Sequence, residues 1–373
     1  MTTRSLALAV ALVVSACGSN PGGDNAGSES TAPPTTAPAE TTSTQEIVPS
    51  TQEIVTGSDD VPESSSGTSS TVPVVDVERV SEPVSVDCST LGRVQVGLQT
   101  GTITSGGLEY EYQWTVPSTY DGSPIAVVLD FHAIGSDGAQ QAVFSGFAAL
   151  AEAEGFLAVE PTGISIDGDE RASWELPQFA SDQRDDIAMV VDLLDHVAAN
   201  VCIDPSRIYA TGMSSGALFT STLVCELSNT IAAAVSVAGV THHESCVPAR
   251  AMSYLAFHGT DDTTIPFRGG GETTLSDSEG GEFFEQVMPE EFAEFASDFG
   301  CSESSDSVIS DSVTLTSWVG CTDDVELGFY TIDGGGHTWP GSIVSSEITS
   351  IGVTNMDIDA TALAWEFFQR HQL

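Results

Sequence analysis

The stretch Arg207-Ile-Tyr-Ala-Thr-Gly-Met-Ser-Ser-Gly-Ala-Leu218 decides how the rest of the chain is read. Ile208, Tyr209 and Ala210 are β-branched, aromatic or apolar and predict a short buried strand. Gly212-Met213-Ser214-Ser215-Gly216 follows the pattern G-x-S-x-G, and Ala217 to Leu227 continue as a helix. A strand that becomes a helix within so few residues forces Ser214 into a strained backbone conformation. Glycine is needed at both flanks, because a Cβ there would collide with the neighbouring strand and helix. Such a turn lifts the Ser214 hydroxyl above the sheet edge and aims the Ser215 N–H at the same point. The same five residues also describe an ordinary Gly-Ser connection, so partner residues elsewhere must decide.

Serine is a poor nucleophile at neutral pH and needs a base within hydrogen-bond reach. Among seven histidines, His337 stands out in Asp333-Gly-Gly-Gly-His-Thr-Trp-Pro-Gly341, directly after an apolar strand. The glycines let that loop approach another element, and Trp-Pro stiffens it. His242 and His243 are adjacent and read as surface loop residues, His196 lies within a helix, and His371 is close to the last residue. The base needs a carboxylate to fix its tautomer. Met252 to Pro266 reads as a strand ending in a polar turn, where Asp262 completes H-G-x-x-D counted from His258; Asp261 competes one position earlier. The order Ser214, Asp262, His337 is that of α/β-hydrolases. His258 itself is expected to tie its loop. A second oxyanion donor beside Ser215 is expected from Phe131-His-Ala-Ile-Gly-Ser136, with Ile134 N–H first and Ala133 next.

The flanks supply the sheet. Val94 to Leu98 and Glu109 to Val116 alternate and predict an antiparallel pair. Ile125 to Phe131 is a continuous apolar run broken only by Asp130, as in a central strand. Further strands are predicted at Phe156 to Val159, Ala232 to Val237, Met252 to Phe257 and Glu326 to Thr331. Helices are predicted at Ala139 to Glu154, Asp185 to Asn200, near Glu290 to Phe299, and Ile358 to His371. Strands alternating with helices imply an α/β fold: a mostly parallel central sheet with helices on both faces.

Met1 to Arg4 followed by the apolar run Ser5 to Ala16 has the form of a secretory signal peptide, too short to span a bilayer. It ends in Val14-Ser-Ala-Cys17, which resembles a bacterial lipobox; lipid on Cys17 would be the chain's one link to a membrane. Residues 18 to 86 are built from Ser, Thr, Pro, Gly and Glu and are expected to form a disordered tether reaching on the order of 45 Å. Residues 87 to 373 then suit one catalytic domain. The net charge of the whole chain is −45, and all nine basic residues are arginines. A field of that sign disfavours nucleic acid, anionic membranes and strongly anionic substrates. Without Cys17, six cysteines remain for an oxidising compartment: Cys88, Cys202, Cys225, Cys246, Cys301 and Cys321. Short loops favour Cys225–Cys246 and Cys301–Cys321, leaving Cys88–Cys202. No C-x-x-C or H-x-x-x-H spacing occurs, so no metal site is expected.

Taken together, Cys202 to Ala217, His258-Gly-Thr-Asp-Asp-Thr-Thr-Ile-Pro266 and Gly334-Gly-Gly-His-Thr-Trp-Pro-Gly341 resemble secreted esterases of the polyhydroxybutyrate depolymerase and feruloyl esterase type. Arg184-Asp-Asp-Ile187 and Ala364-Trp-Glu-Phe-Phe-Gln-Arg-His371 share the likeness, which covers Cys88 to Leu373. It implies a cofactor-free serine esterase acting on polyesters or on feruloyl and acetyl esters of plant polysaccharide. Two departures stand out: His132-Ala133 where His-Gly is usual, and Asp130 inside a normally apolar run. Trp174 and Trp339 are expected to line a cleft for the acyl group. The chain is expected to act as a monomer. A serine peptidase would share the triad, and a non-catalytic surface module would be free to lose one of its members.

Overall fold

The computed structural model describes residues 86–165, 171–177, 184–270 and 286–373. Cys17, the signal-peptide stretch and residues 18 to 85 lie outside these described residues. Strands β1 (Gly97–Ser105) and β2 (Leu108–Val116) form a hairpin. β3 (Ile125–Phe131), α1 (Gly138–Ser145), α2 (Phe147–Glu154), β4 (Leu157–Pro161) and α3 (Asp186–Asn200) lead to β5 (Ile203–Met213) and α4 (Ser215–Glu226). β6 (Ala233–Val237), β7 (Ser253–Gly259), α5 (Met288–Asp298), β8 (Glu303–Ser310), β9 (Val313–Val319), β10 (Leu327–Ile332), α6 (Ile343–Glu347) and α7 (Ala360–Phe368) follow.

All ten strands join one sheet in the order β1-β2-β4-β3-β5-β6-β7-β10-β9-β8. From β4 to β10 the neighbours run parallel, and the hairpins β1–β2 and β9–β8 flank them antiparallel. This is the α/β-hydrolase fold. Parallel strands covered on both faces must be apolar throughout, and β3, β4, β6 and β7 are buried at every position. Val127, Leu129 and Phe131 pack with α3, α4 and α5 on one face. Ala126, Val128 and Tyr209 pack with α2 and α7 on the other. Asp185 caps α3 through the Ala188 N–H at 2.9 Å, and Asp359 caps α7 through Thr361 and Ala362.

Three details differ from the reading of the sequence. The first strand begins at Gly97 rather than Val94, because its register is set by the turn at Gly106-Gly107, both at positive φ. The helix expected from Ala139 to Glu154 breaks at Gly146, whose φ of 80° caps α1 and redirects the chain. The hairpin β8–β9 has no counterpart among the strands the sequence predicts; every β8 residue but Ser310 is exposed, so no apolar alternation marks it. The disulfides are Cys88–Cys202, Cys225–Cys246 and Cys301–Cys321, the pairing favoured by loop length. They suit an oxidising compartment. Closing the 114-residue separation between Cys88 and Cys202 stabilises the fold most, by about 4–5 kcal/mol in the chain-entropy account.

Candidate active site

Ser214 sits between β5 and α4 with φ 56° and ψ −120°, a left-handed conformation costing about 1–3 kcal/mol for a non-glycine residue. The surroundings enforce it. Ser214 N–H donates to the Val237 carbonyl at 3.0 Å, and the Ser214 carbonyl accepts from Leu218 N–H at 3.0 Å. A Cβ on Gly212 would lie 2.5 Å from the Gly216 carbonyl oxygen, and one on Gly216 would overlap the Phe131 carbonyl. The two glycines therefore let β3, β5 and α4 close around the turn.

His337 follows β10 and Asp262 follows β7, so both lie on the sheet edge that carries Ser214 after β5. The loops interlock through glycine: a Cβ on Gly259 would overlap the Gly335 carbonyl, and Asp261 N–H donates to that carbonyl at 2.9 Å. His337 N–H donates to the Ile351 carbonyl at 2.7 Å, which fixes the base from the far side. His337 Nδ1 meets Asp262 Oδ2 at 2.7 Å. The other carboxylate oxygen, Oδ1, accepts from Thr264 N–H at 2.8 Å and Ile265 N–H at 2.9 Å. Burial works to raise the Asp262 carboxyl, but His337, His258 and the backbone donors outweigh it and hold it below the ordinary range. Asp261 is exposed and turned to solvent. Ser214 Oγ and His337 Nε2 make no hydrogen bond among the described residues, to each other or elsewhere. Such contacts commonly tighten only when substrate binds.

His258 ties its loop as expected, with Nε2 donating to the Ile265 carbonyl at 2.9 Å. That N–H also lies 3.4 Å from Asp262 Oδ2, a proximity the spacing of the motif did not reveal. The other histidines are engaged away from Asp262: His196 with Tyr112, His242 with Asp298, and His371 with Glu326. His243 is buried against Ser245 rather than at the surface.

On the opposite side of the elbow, the N–H groups of Ala133 and Ile134 have no partner among the described residues. His132 explains their orientation. Gly163 N–H donates to its Nε2 at 2.9 Å, so Nδ1 carries the proton and donates to the Ala133 carbonyl at 2.7 Å. Burial lowers the His132 pKa and keeps the ring neutral. Ser136 N–H donates to the same carbonyl at 3.0 Å. A trans peptide points its C=O and N–H in opposite directions, so these two bonds direct the Ile134 N–H the other way.

Both tryptophan rings are buried and hydrogen-bonded. Trp339 is 0% exposed, donates Nε1–H to Thr361 Oγ1 at 2.9 Å and packs edge-on against Phe147. It anchors the His337 loop to α7. Trp174 is 4% exposed, stacks on Phe219 and donates to the His132 carbonyl at 2.8 Å, supporting the loop from beneath. An aromatic beside a site motif does not reveal which side its ring turns.

No family model matches the chain. Feruloyl esterase B of Piromyces equi is 27% identical over 228 residues, 59% of this chain and 41% of its own length. Poly(3-hydroxyalkanoate) depolymerase C of Paucimonas lemoignei is 30% identical over 96 residues, 26% of this chain and 23% of its own. The chain thus spans less than half the length of either relative. Among solved structures, a thermostable esterase aligns with a TM-score of 0.49 and 15% identity, covering 74% of this chain and 63% of that one. The chain is similar to proteins named as feruloyl esterase and poly(3-hydroxyalkanoate) depolymerase, the two types its motifs resemble.

Proposed function

We propose that this protein is a carboxylic ester hydrolase working through an acyl-enzyme on Ser214. The observation that carries the reading is the strained Ser214 elbow on the same sheet edge as the 2.7 Å His337–Asp262 pair. In the reaction, Ser214 Oγ attacks the ester carbonyl while His337 Nε2 takes its proton, and Asp262 holds Nδ1–H and stabilises the imidazolium. The tetrahedral oxyanion is received by the N–H groups of Ser215 and Ile134. Collapse releases the alcohol, protonated by His337; water then adds to the acyl-enzyme by the same route and releases the acid. The relatives' names favour polyester or feruloyl and acetyl ester substrates.

Purified protein is expected to hydrolyse at least one of p-nitrophenyl acetate, methyl ferulate and short hydroxybutyrate oligomers well above the enzyme-free rate. Folded protein inert towards all three, or faster on peptide amides, would overturn the reading. The same proposal places the protein outside the cytoplasm with lipid on Cys17. Cys17→Ser in the native host is then expected to move protein from the membrane fraction to the medium. Unchanged retention, or an N-terminus without acyl chains by mass spectrometry, would sink the anchor alone.

A further inference from the structure

Asp130, the charged residue inside the otherwise apolar β3, has a counterpart. β3 and β4 run parallel with Leu129 beside Val159, and continuing that register sets Asp130 beside Glu160. β2 pairs Gln113 with Glu160, and β5 pairs Thr211 with Asp130. Gln113, Glu160, Asp130 and Thr211 therefore form one row across four neighbouring strands. Asp130 and Glu160 are both 0% exposed. Adjacent strands in register turn these side chains to the same face of the sheet.

Their donors are few and neutral. Asp130 accepts from Gln141 Nε2 at 2.7 Å and Ser145 Oγ at 2.5 Å, both on α1. Glu160 Oε2 accepts from Gln113 Nε2 at 3.3 Å, while Oε1 has no partner. Among the described residues no cation answers the two carboxyls. α1 carries no titratable side chain, and α2 turns Glu152 and Glu154 to solvent. On β2, Glu109 and Glu111 are exposed; on β5, Thr211 is neutral. His132, beyond the end of β3, is held neutral and bound to Gly163 and Ala133. Two unscreened anions side by side without a counter-charge cost too much to persist, as in carboxylate dyads that share one proton.

We propose that the Asp130–Glu160 pair retains at least one proton in the folded protein, making the fold a proton acceptor near neutral pH. Burial pushes Asp130 up to about 7, and burial plus the neighbouring Asp130 pushes Glu160 well above the carboxylate range. The unfolded carboxyls ionise near ~4. Between that value and about 7 or beyond, the native state binds more protons than the unfolded one, so stability falls as pH rises. Asp262 has the opposite sign: its lowered pKa gives stability that is lost as pH falls.

The test uses wild type, Asp130→Asn, Glu160→Gln and the double variant. In wild type, the infrared carbonyl band of a protonated carboxyl is expected in the folded state near ~pH 6, where exposed carboxyls are ionised. It should shrink in the double variant, any remainder coming from the buried Asp186 and Glu291, whose carboxyls burial also raises. Wild-type Tm is expected to drop by roughly 5–10 °C between about pH 5 and about pH 9, with each single variant dropping less. Should the double variant not fold, Glu160→Gln and the wild-type band decide. Absence of that band overturns the proposal whatever the Tm values; so does a Tm slope unchanged in both single variants.

Discussion

Ser214→Ala is expected to leave a folded protein with almost no ester hydrolysis. In a serine hydrolase with the same logic, loss of the nucleophile costs about 10⁶ in kcat, with the remainder coming from binding and the oxyanion hole. Stability should barely change, within about 1 kcal/mol. The Ser214 hydroxyl makes no hydrogen bond among the described residues, and alanine keeps the Cβ that already tolerates φ 56°. The strain belongs to the turn and remains in the variant. Measuring kcat on a p-nitrophenyl ester beside Tm separates the two effects. Residual activity above a few per cent in a variant with native Tm would place the nucleophile elsewhere.

Asp262→Asn should be the second largest loss, about 10⁴ in kcat with little change in KM. Its Oδ1 accepts two backbone N–H groups, so an amide oxygen keeps that side of the loop in place. The amide nitrogen then faces His337 Nδ1, where Oδ2 had accepted a proton. A donor in that position favours the tautomer protonated on Nε2, and that nitrogen can no longer act as the base. Asp261→Asn should cost less than about tenfold, since an exposed charge acts weakly through water. Its contribution to the loop is a backbone N–H to Gly335, which the substitution retains. Steady-state kinetics of the pair on one ester decide the assignment, and the reverse ranking would transfer the carboxylate role to Asp261.

What could be read from the chain was written in local sterics. G-x-S-x-G, H-G-x-x-D and the triple glycine before His337 each mark a place where a Cβ would strike a specific backbone atom. Those contacts are present at Gly212, Gly216 and Gly259. Apolar runs likewise marked the parallel strands. What could not be read was non-local or unpatterned. β8 is exposed almost throughout, so no periodicity distinguishes it from a loop. The side to which Trp339 turns is fixed by Thr361 and Phe147, neither of them near it in sequence. Asp130 looked like a flaw in a strand until the β3–β4 register set Glu160 beside it.

The Cys88–Cys202 bond has a mechanical consequence. A pull arriving along the chain ahead of Cys88 would otherwise reach β1, an edge strand held by one neighbour and open to peeling one hydrogen bond at a time. Instead the load crosses covalently to Cys202, the residue before β5. β5 is flanked by β3 and β6 in the middle of the sheet, so tension meets both ladders together. The intervening hairpin carries none of it. Reducing this one disulfide would expose the hairpin to unzipping under forces that the oxidised protein withstands.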